Sequence, residues 1–294
     1  MQRRYEALKA RGDALQERAQ NERSRHATVD AVFQMVDRDA EVGGGIIAGA
    51  IAYRLFIWLL PFAFVLVGGL GVTAEASSSS PEDVAGTLGL SGLVTNSIAS
   101  AASGQGRWYA LLIGIPLLFW ATRSLLRVMI GAHRLAWTDA RGRAHKPTMR
   151  ATAVFLALLL LYYVIAGVTV YARTQSDGLG LIVTLLVAVA YAGVWLLVSN
   201  RLPHTTATWT ALLPGALIVG MGVEILNVVS VYILAPWAQG KQGTYGVLGL
   251  ASAILFGLFL IARLIVGAAI VNATLWERGA HAGRAAAPPP PSGA

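Results

Sequence analysis

Six long apolar runs dominate the chain, separated by shorter polar segments. They cover about residues 45–72, 108–130, 151–171, 180–198, 209–234 and 245–275. An α-helix needs about 20 mostly apolar residues to cross a hydrocarbon core about 30 Å thick, and each run approaches or exceeds that length. Inside lipid the backbone has no water to bond, and a helix satisfies its own N–H and C=O groups. The pattern therefore predicts an all-α membrane protein with six transmembrane helices. Trp108, Tyr171, Trp209, Trp237, Tyr245 and Trp276 sit near the ends of the runs, where amphipathic rings favour the interface.

The polar segments read differently. Residues 1–43 hold eight basic and eight acidic side chains around two narrow apolar stripes. Tyr5, Leu8, Gly12, Leu15 and Ala19 form the first, and Val29, Val32, Phe33 and Val36 the second; both have helical spacing. We expect an N-terminal amphipathic helical arm, lying on the membrane surface or packed on the cytoplasmic face of the bundle. The sharper reading is a coiled-coil arm that pairs two copies or binds an envelope partner. The largest outer segment, 73–107, contains Ser80, Pro81 and Asp83, spaced as an N-cap, a first-turn proline and a capping-box acid. That spacing predicts a short helix against the outer face. Residues 279–294 end in a Pro/Ala-rich tail, expected to be disordered.

Charge orients the bundle. Outside the runs, sixteen Lys and Arg fall on one side and three (Arg107, Arg173 and Lys241) on the other. The positive-inside rule makes the sixteen-residue side cytoplasmic. With an even number of spans, both termini are then expected in the cytoplasm, and a bacterial inner membrane is the expected location. Only 13% of the 294 residues are charged, against about 25% in soluble domains. The net charge of +8 does not indicate nucleic acid, because the cations lie between apolar runs rather than on one aromatic-laced module. Such placement favours anionic lipid headgroups as partners. The first forty residues lack the apolar core of a secretory signal, so none is expected.

Four ionisable residues fall well inside the runs, Arg54, Arg123, Glu224 and Arg263, and Arg127 sits close behind near the cytoplasmic end of its helix. A charge at mid-membrane costs at least about 2.5 to 3.5 kcal/mol on insertion scales, so such groups face protein or water. Arg123 is near enough to the cytoplasmic end to snorkel. The plainest arrangement pairs Glu224 with Arg263 and locks two helices together. Three arginines against one glutamate still leave an excess of positive charge, which an anionic headgroup or solute would balance. Pro61 and Pro116 interrupt the first two runs, while Gly215, Gly220 and Gly222 crowd the fifth. Prolines free carbonyls and small residues permit close helix contact, which serves either packing or a cavity.

With no cysteine and five scattered histidines, no metal site and no cofactor is expected. The chain has no Walker-type loop, HExxH or Gly-x-Ser-x-Gly, so we expect neither an enzyme nor a transporter driven by its own ATP hydrolysis.

Gly49-Ala-Ile-Ala-Tyr-Arg-Leu-Phe-Ile-Trp-Leu-Leu-Pro61 resembles the first-span signature of the YihY/BrkB family of bacterial inner-membrane proteins. Leu213-Pro214-Gly215 opening the fifth span, Glu224 within it, Thr244-Tyr245-Gly246-Val-Leu-Gly249 opening the sixth and the closing Asn272-Ala273 extend the likeness over roughly residues 30–278. One departure is Gly267-Ala-Ala-Ile-Val-Asn272, where the family usually has a glutamate just before the asparagine. The resemblance implies a six-helix membrane fold. The family's former label, ribonuclease BN, finds no catalytic residues here. Its YhjD-like branch is linked to export of lipopolysaccharide precursors, which implies anionic lipids or amphiphiles as cargo.

Two readings follow. A transporter or flippase-like exporter of an anionic lipid or amphiphile would enclose a cavity between the first, second, fifth and sixth helices, lined by Arg54, Arg123, Glu224 and Arg263. A non-transporting membrane scaffold would instead have a dry core and closed ion pairs.

Overall fold

The structure is a computed structural model, and it describes residues 26–77, 106–137, 146–175, 180–229 and 235–285. Among these residues every regular element is helical. Helix α1 is Ala27–Val42, α2 Gly44–Ser77, α3 Gly106–Ala136, α4 Met149–Gln175 and α5 Gly180–Ser199. A 3-10 turn, Trp209–Leu212, leads into α6, Leu213–Val229, and α7 is Ala235–Ala285. Six of these helices are long and apolar enough to cross a membrane, with candidate spans Gly44–Glu75, Gly106–Ala136, Met149–Ala166, Ile182–Ser199, Trp209–Asn227 and Ala251–Ala280.

The register of the first two spanning helices is set by side chains. The Trp58 indole N–H donates to Thr122 Oγ1 at 2.8 Å, and the Thr122 hydroxyl donates in turn to Leu118 O. Two turns further, Gly114 faces Phe64 and Val65, and Gly68 faces Leu111 and the Arg107 carbonyl. A Cβ at either glycine would crowd the opposite helix, so these positions bring α2 and α3 together. Arg107 and Glu75 pair where the two helices approach the far end of the bundle. Pro61 and Pro116 both sit inside continuous helices.

Side-chain bonds gather six helix ends at one end of the bundle. Arg38 of α1 bonds the Ala136 carbonyl that ends α3 and Glu277 near the end of α7. Asn272 of α7 bonds the start of α6. Leu126, Thr148 and Arg201 line one cavity, which places the start of α4 and the end of α5 there too. The chain thus leaves this end in α2, α4 and α6 and returns in α3, α5 and α7. We call it the basic end.

The core lies toward that end. Ile51, Leu125, Met129, Val198, Leu212 and Val219 are buried around a row of small residues on α7, Ala262, Ala268, Ala269 and Ala273. A smaller cluster joins α2, α3 and α4, where Trp58 and Phe62 stack with ring centroids 4.9 Å apart and Tyr163 packs on both.

Several expectations change. Residues 1–25, with the first arm stripe, and residues 78–105, with the Ser80–Pro81–Asp83 cap, lie outside the described residues. The second stripe is divided: Val32 and Val36 are each 60% exposed, while Val29 and Phe33 are half-buried. Ala31, Met35 and Val42 point inward instead, because charged neighbours on that face make the stronger contacts. The tail expected to be disordered from residue 279 is helical to Ala285. Helix α7 also begins at Ala235, so Tyr245, Gly246 and Gly249 lie within it rather than opening it.

Candidate functional site

The basic end contains two differently built regions. The first is a clamp between α1 and α7. Arg38 lays both guanidinium nitrogens on Glu277, Nη1 on Oε2 and Nη2 on Oε1, each at 2.7 Å. Its Nε donates to Ala136 O at 2.8 Å, so one side chain ties three helices. Arg263 makes a second fork on Asp39, at 2.9 and 3.1 Å. Arg278 donates to Asp30 at 2.6 Å and to the Ala27 carbonyl, while Gln34 adds a bond to Asp30. Bidentate, charge-assisted contacts of this kind are roughly twice as strong as neutral hydrogen bonds.

Local backbone geometry allows the clamp. Gly43 ends α1 with φ 67°, the left-handed conformation that glycine adopts without a Cβ penalty. A Cβ on Gly44 would run into the Asp39 carboxylate and approach Arg263 Nη1. A cavity of about 670 Å³ opens beside the clamp, lined by Gln34, Asp37, Arg38, Glu41, Val42, Thr274, Glu277 and Arg278.

The second region is a collar of cations around α3, α4 and α5. Arg123, half-buried, directs Nη1 to Met149 Sδ at 3.0 Å. Met149 begins α4, so the Arg123 head group lies where the third span starts. The α2–α3 register places Arg54 one turn nearer the basic end than Trp58, at about the level of Leu126. Its guanidinium rests 5.9 Å from the centre of the Tyr53 ring. Arg127, Arg150 and Arg201 are exposed. Among the described residues, none of these five arginines pairs with a carboxylate. Between α3, α4 and α5 lies a cavity of about 450 Å³, apolar along Leu126, Ile130, Val154, Phe155 and Leu158, with Arg150 and Arg201 in its lining.

The four intramembrane candidates keep separate partners. Arg263 does not pair with Glu224 as the simplest arrangement had it; its fork is on Asp39. The reason is reach: α1 folds back along α7 and brings a carboxylate to a guanidinium that extends toward Gly44. Arg54 meets Tyr53 and Arg123 meets Met149. Glu224 is 4% exposed on α6 and is the deep carboxylate. Neither cavity described above is lined by any of the four.

Pro214 and Gly215 acquire a specific role. Pro214 occupies the first turn of α6, where a missing N–H costs nothing. The Gly215 N–H donates to Asn272 Oδ1 at 2.8 Å, and Asn272 Nδ2 donates to Leu212 O at 3.3 Å. A Cβ at Gly215 would overlap Asn272 and the Ala268 carbonyl. Two segments 57 residues apart, both quoted as signature elements, therefore form one buried joint. Residue reading missed Trp58 and Thr122 as a polar pair; a buried indole needs an acceptor, but nothing local says which helix supplies it.

Residues 38–292 match the model of the family described as virulence factor BrkB. The chain belongs to the BrkB family. The match begins at Arg38, so it takes in the Arg38 and Asp39 contacts of the clamp as well as all six spanning helices. No curated protein and no solved structure matches this BrkB-family chain. It is a membrane protein of six apolar helices.

Proposed function

We propose that this BrkB-family protein is a flippase-like transporter of an anionic lipid or amphiphile in a bacterial inner membrane. In this reading the basic end and both termini face the cytoplasm, as the positive-inside rule requires. Neither described cavity is lined by Arg54, Arg123, Glu224 or Arg263, so the reading rests instead on the unmatched collar: Arg54, Arg123, Arg127, Arg150 and Arg201 have no carboxylate partner among the described residues. Arginines at headgroup level without internal counter-ions attract acidic headgroups, each worth about 1 kcal/mol near an anionic surface. We read the protein as a non-enzyme without cofactor, its partners being lipids rather than nucleic acid.

Reconstitution tests the reading. Vesicles carry a fluorescent acidic phospholipid, and dithionite bleaches label that reaches the outer leaflet, with and without an imposed proton gradient. Transport predicts that protein-containing vesicles bleach the inner-leaflet label, and that Arg54→Ala and Arg123→Ala slow this. Bleaching no faster than in empty vesicles, with the protein folded, would sink the reading.

A scaffold reading has its own observation. The α1–α7 clamp closes every pair it uses and presents α1 with Val32 and Val36 outward. A held helix with an exposed apolar stripe suits an envelope partner or a second copy.

A further inference from the structure

The cavity between α3, α4 and α5 combines two chemistries that core packing does not call for. Its wall is a continuous apolar strip from Leu126 and Ile130 on α3 to Phe155 and Leu158 on α4. Arg150 and Arg201 belong to the same lining, and among the described residues no carboxylate does. Both arginines are exposed and bond no other described side chain.

Depth adds a constraint. Arg150 is the second residue of α4, so its guanidinium stands where that helix enters the apolar layer. Ala151 to Leu158 then descend by about 10 Å at 1.5 Å per residue. A cationic mouth at headgroup level above an apolar shaft is complementary to a molecule with the same order of parts.

We propose that this cavity seats one acidic phospholipid of the surrounding membrane. Its phosphate lies between Arg150 and Arg201, and one acyl chain follows Leu126, Ile130, Phe155 and Leu158. The guanidinium fork matches phosphate oxygens in pairs, and the headgroup neutralises cations that no described carboxylate meets. The N-terminus of α4 adds a favourable dipole, but Thr148 Oγ1 already accepts the Ala151 N–H, so the arginines make the specific contact. The site does not depend on transport: the same lipid would be held by a scaffold.

The test is native mass spectrometry of the full chain in mild detergent, titrated with dioleoyl phosphatidylglycerol or dioleoyl phosphatidylcholine. One phosphatidylglycerol should bind where phosphatidylcholine does not. The double variant Arg150→Ala/Arg201→Ala should weaken it at least tenfold, about 1.4 kcal/mol, because it removes both charge-assisted contacts to the phosphate. Both side chains are exposed, so their loss orphans no buried group, and elution as a single species checks folding. Ala151→Trp, with both arginines kept, should also weaken binding by filling the shaft. Equal binding of the two lipids, or unchanged affinity in the double variant, would overturn the proposal. Displacement of the lipid by glycerol 3-phosphate alone would overturn it in favour of a soluble anion. Selective retention by a protein that shows no flux would support this site and count against transport alone.

Discussion

The clamp and the collar occupy the same end of the bundle and use the same residue, arginine, to opposite effect. In the clamp Arg38, Arg263 and Arg278 each meet a carboxylate on the other helix. Their charge is spent inside the protein, holding α1 against α7. In the collar Arg150 and Arg201 meet none among the described residues, and both side chains are exposed. The difference lies in the segments supplied: α1 carries acids at Asp30 and Asp39, whereas the beginning of α4 and the end of α5 carry none. An arginine becomes a fastener or a ligand-binding group according to what the fold places opposite it.

The sharpest way to break this contrast is Arg38→Ala. It removes both fork bonds to Glu277 and the bond to Ala136 O. The Arg38 side chain is 11% exposed but Glu277 is 41% exposed, and solvent screening discounts such pairs. We expect a loss of about 2 kcal/mol, read by hydrogen exchange as faster opening of α1 while α2 and α3 stay protected. Unchanged protection of α1 would mean that apolar contacts, not ions, hold it.

A smaller effect is expected from the Asp39–Arg263 pair, because both partners are about one-third exposed. A double-mutant cycle with Asp39→Ala and Arg263→Ala should return a coupling of about 1 kcal/mol. If Glu224 were the true partner of Arg263, the cycle with Glu224→Gln would couple more strongly. Smaller again is Asp30→Asn, which leaves Arg278 its bond to the Ala27 carbonyl; about 0.5 kcal/mol is expected, lost at high salt.

At the collar the same chemistry should cost almost nothing. Arg150→Ala and Arg201→Ala in lipid-free detergent should change unfolding stability by less than about 0.5 kcal/mol, as exposed sites usually do. The effect should appear only when acidic lipid is added, as loss of a lipid-dependent gain in thermal stability. A large lipid-free penalty would show that the collar arginines are structural after all.

Much of the fold was legible along the chain. Gly44–Glu75 and Ala251–Ala280 cover most of the first and last runs, because bilayer thickness imposes a length and a composition that each segment must meet alone. The candidate site was less legible. Arg123 meets Met149 at the start of α4, a neighbour that no position along the chain indicated. Nor was the Arg263–Asp39 fork indicated, since Asp39 lies 224 residues away in the charged arm. The outward turn of Val32 and Val36 was hidden for a related reason: periodicity finds an apolar stripe but not what the opposite face will meet.

By itself, then, the sequence determined how many helices cross the membrane, where the cations concentrate and which family the segments resemble. Those properties are set locally, by each segment's exchange between water and lipid. Tertiary structure alone decided which carboxylate answers which arginine, that Gly215 and Asn272 form one joint, and that Arg150 and Arg201 share a cavity. Those outcomes depend on how each helix is rotated about its axis and which neighbour it meets. Rotation and neighbour order are settled by the packing of the whole bundle, and no single segment encodes them.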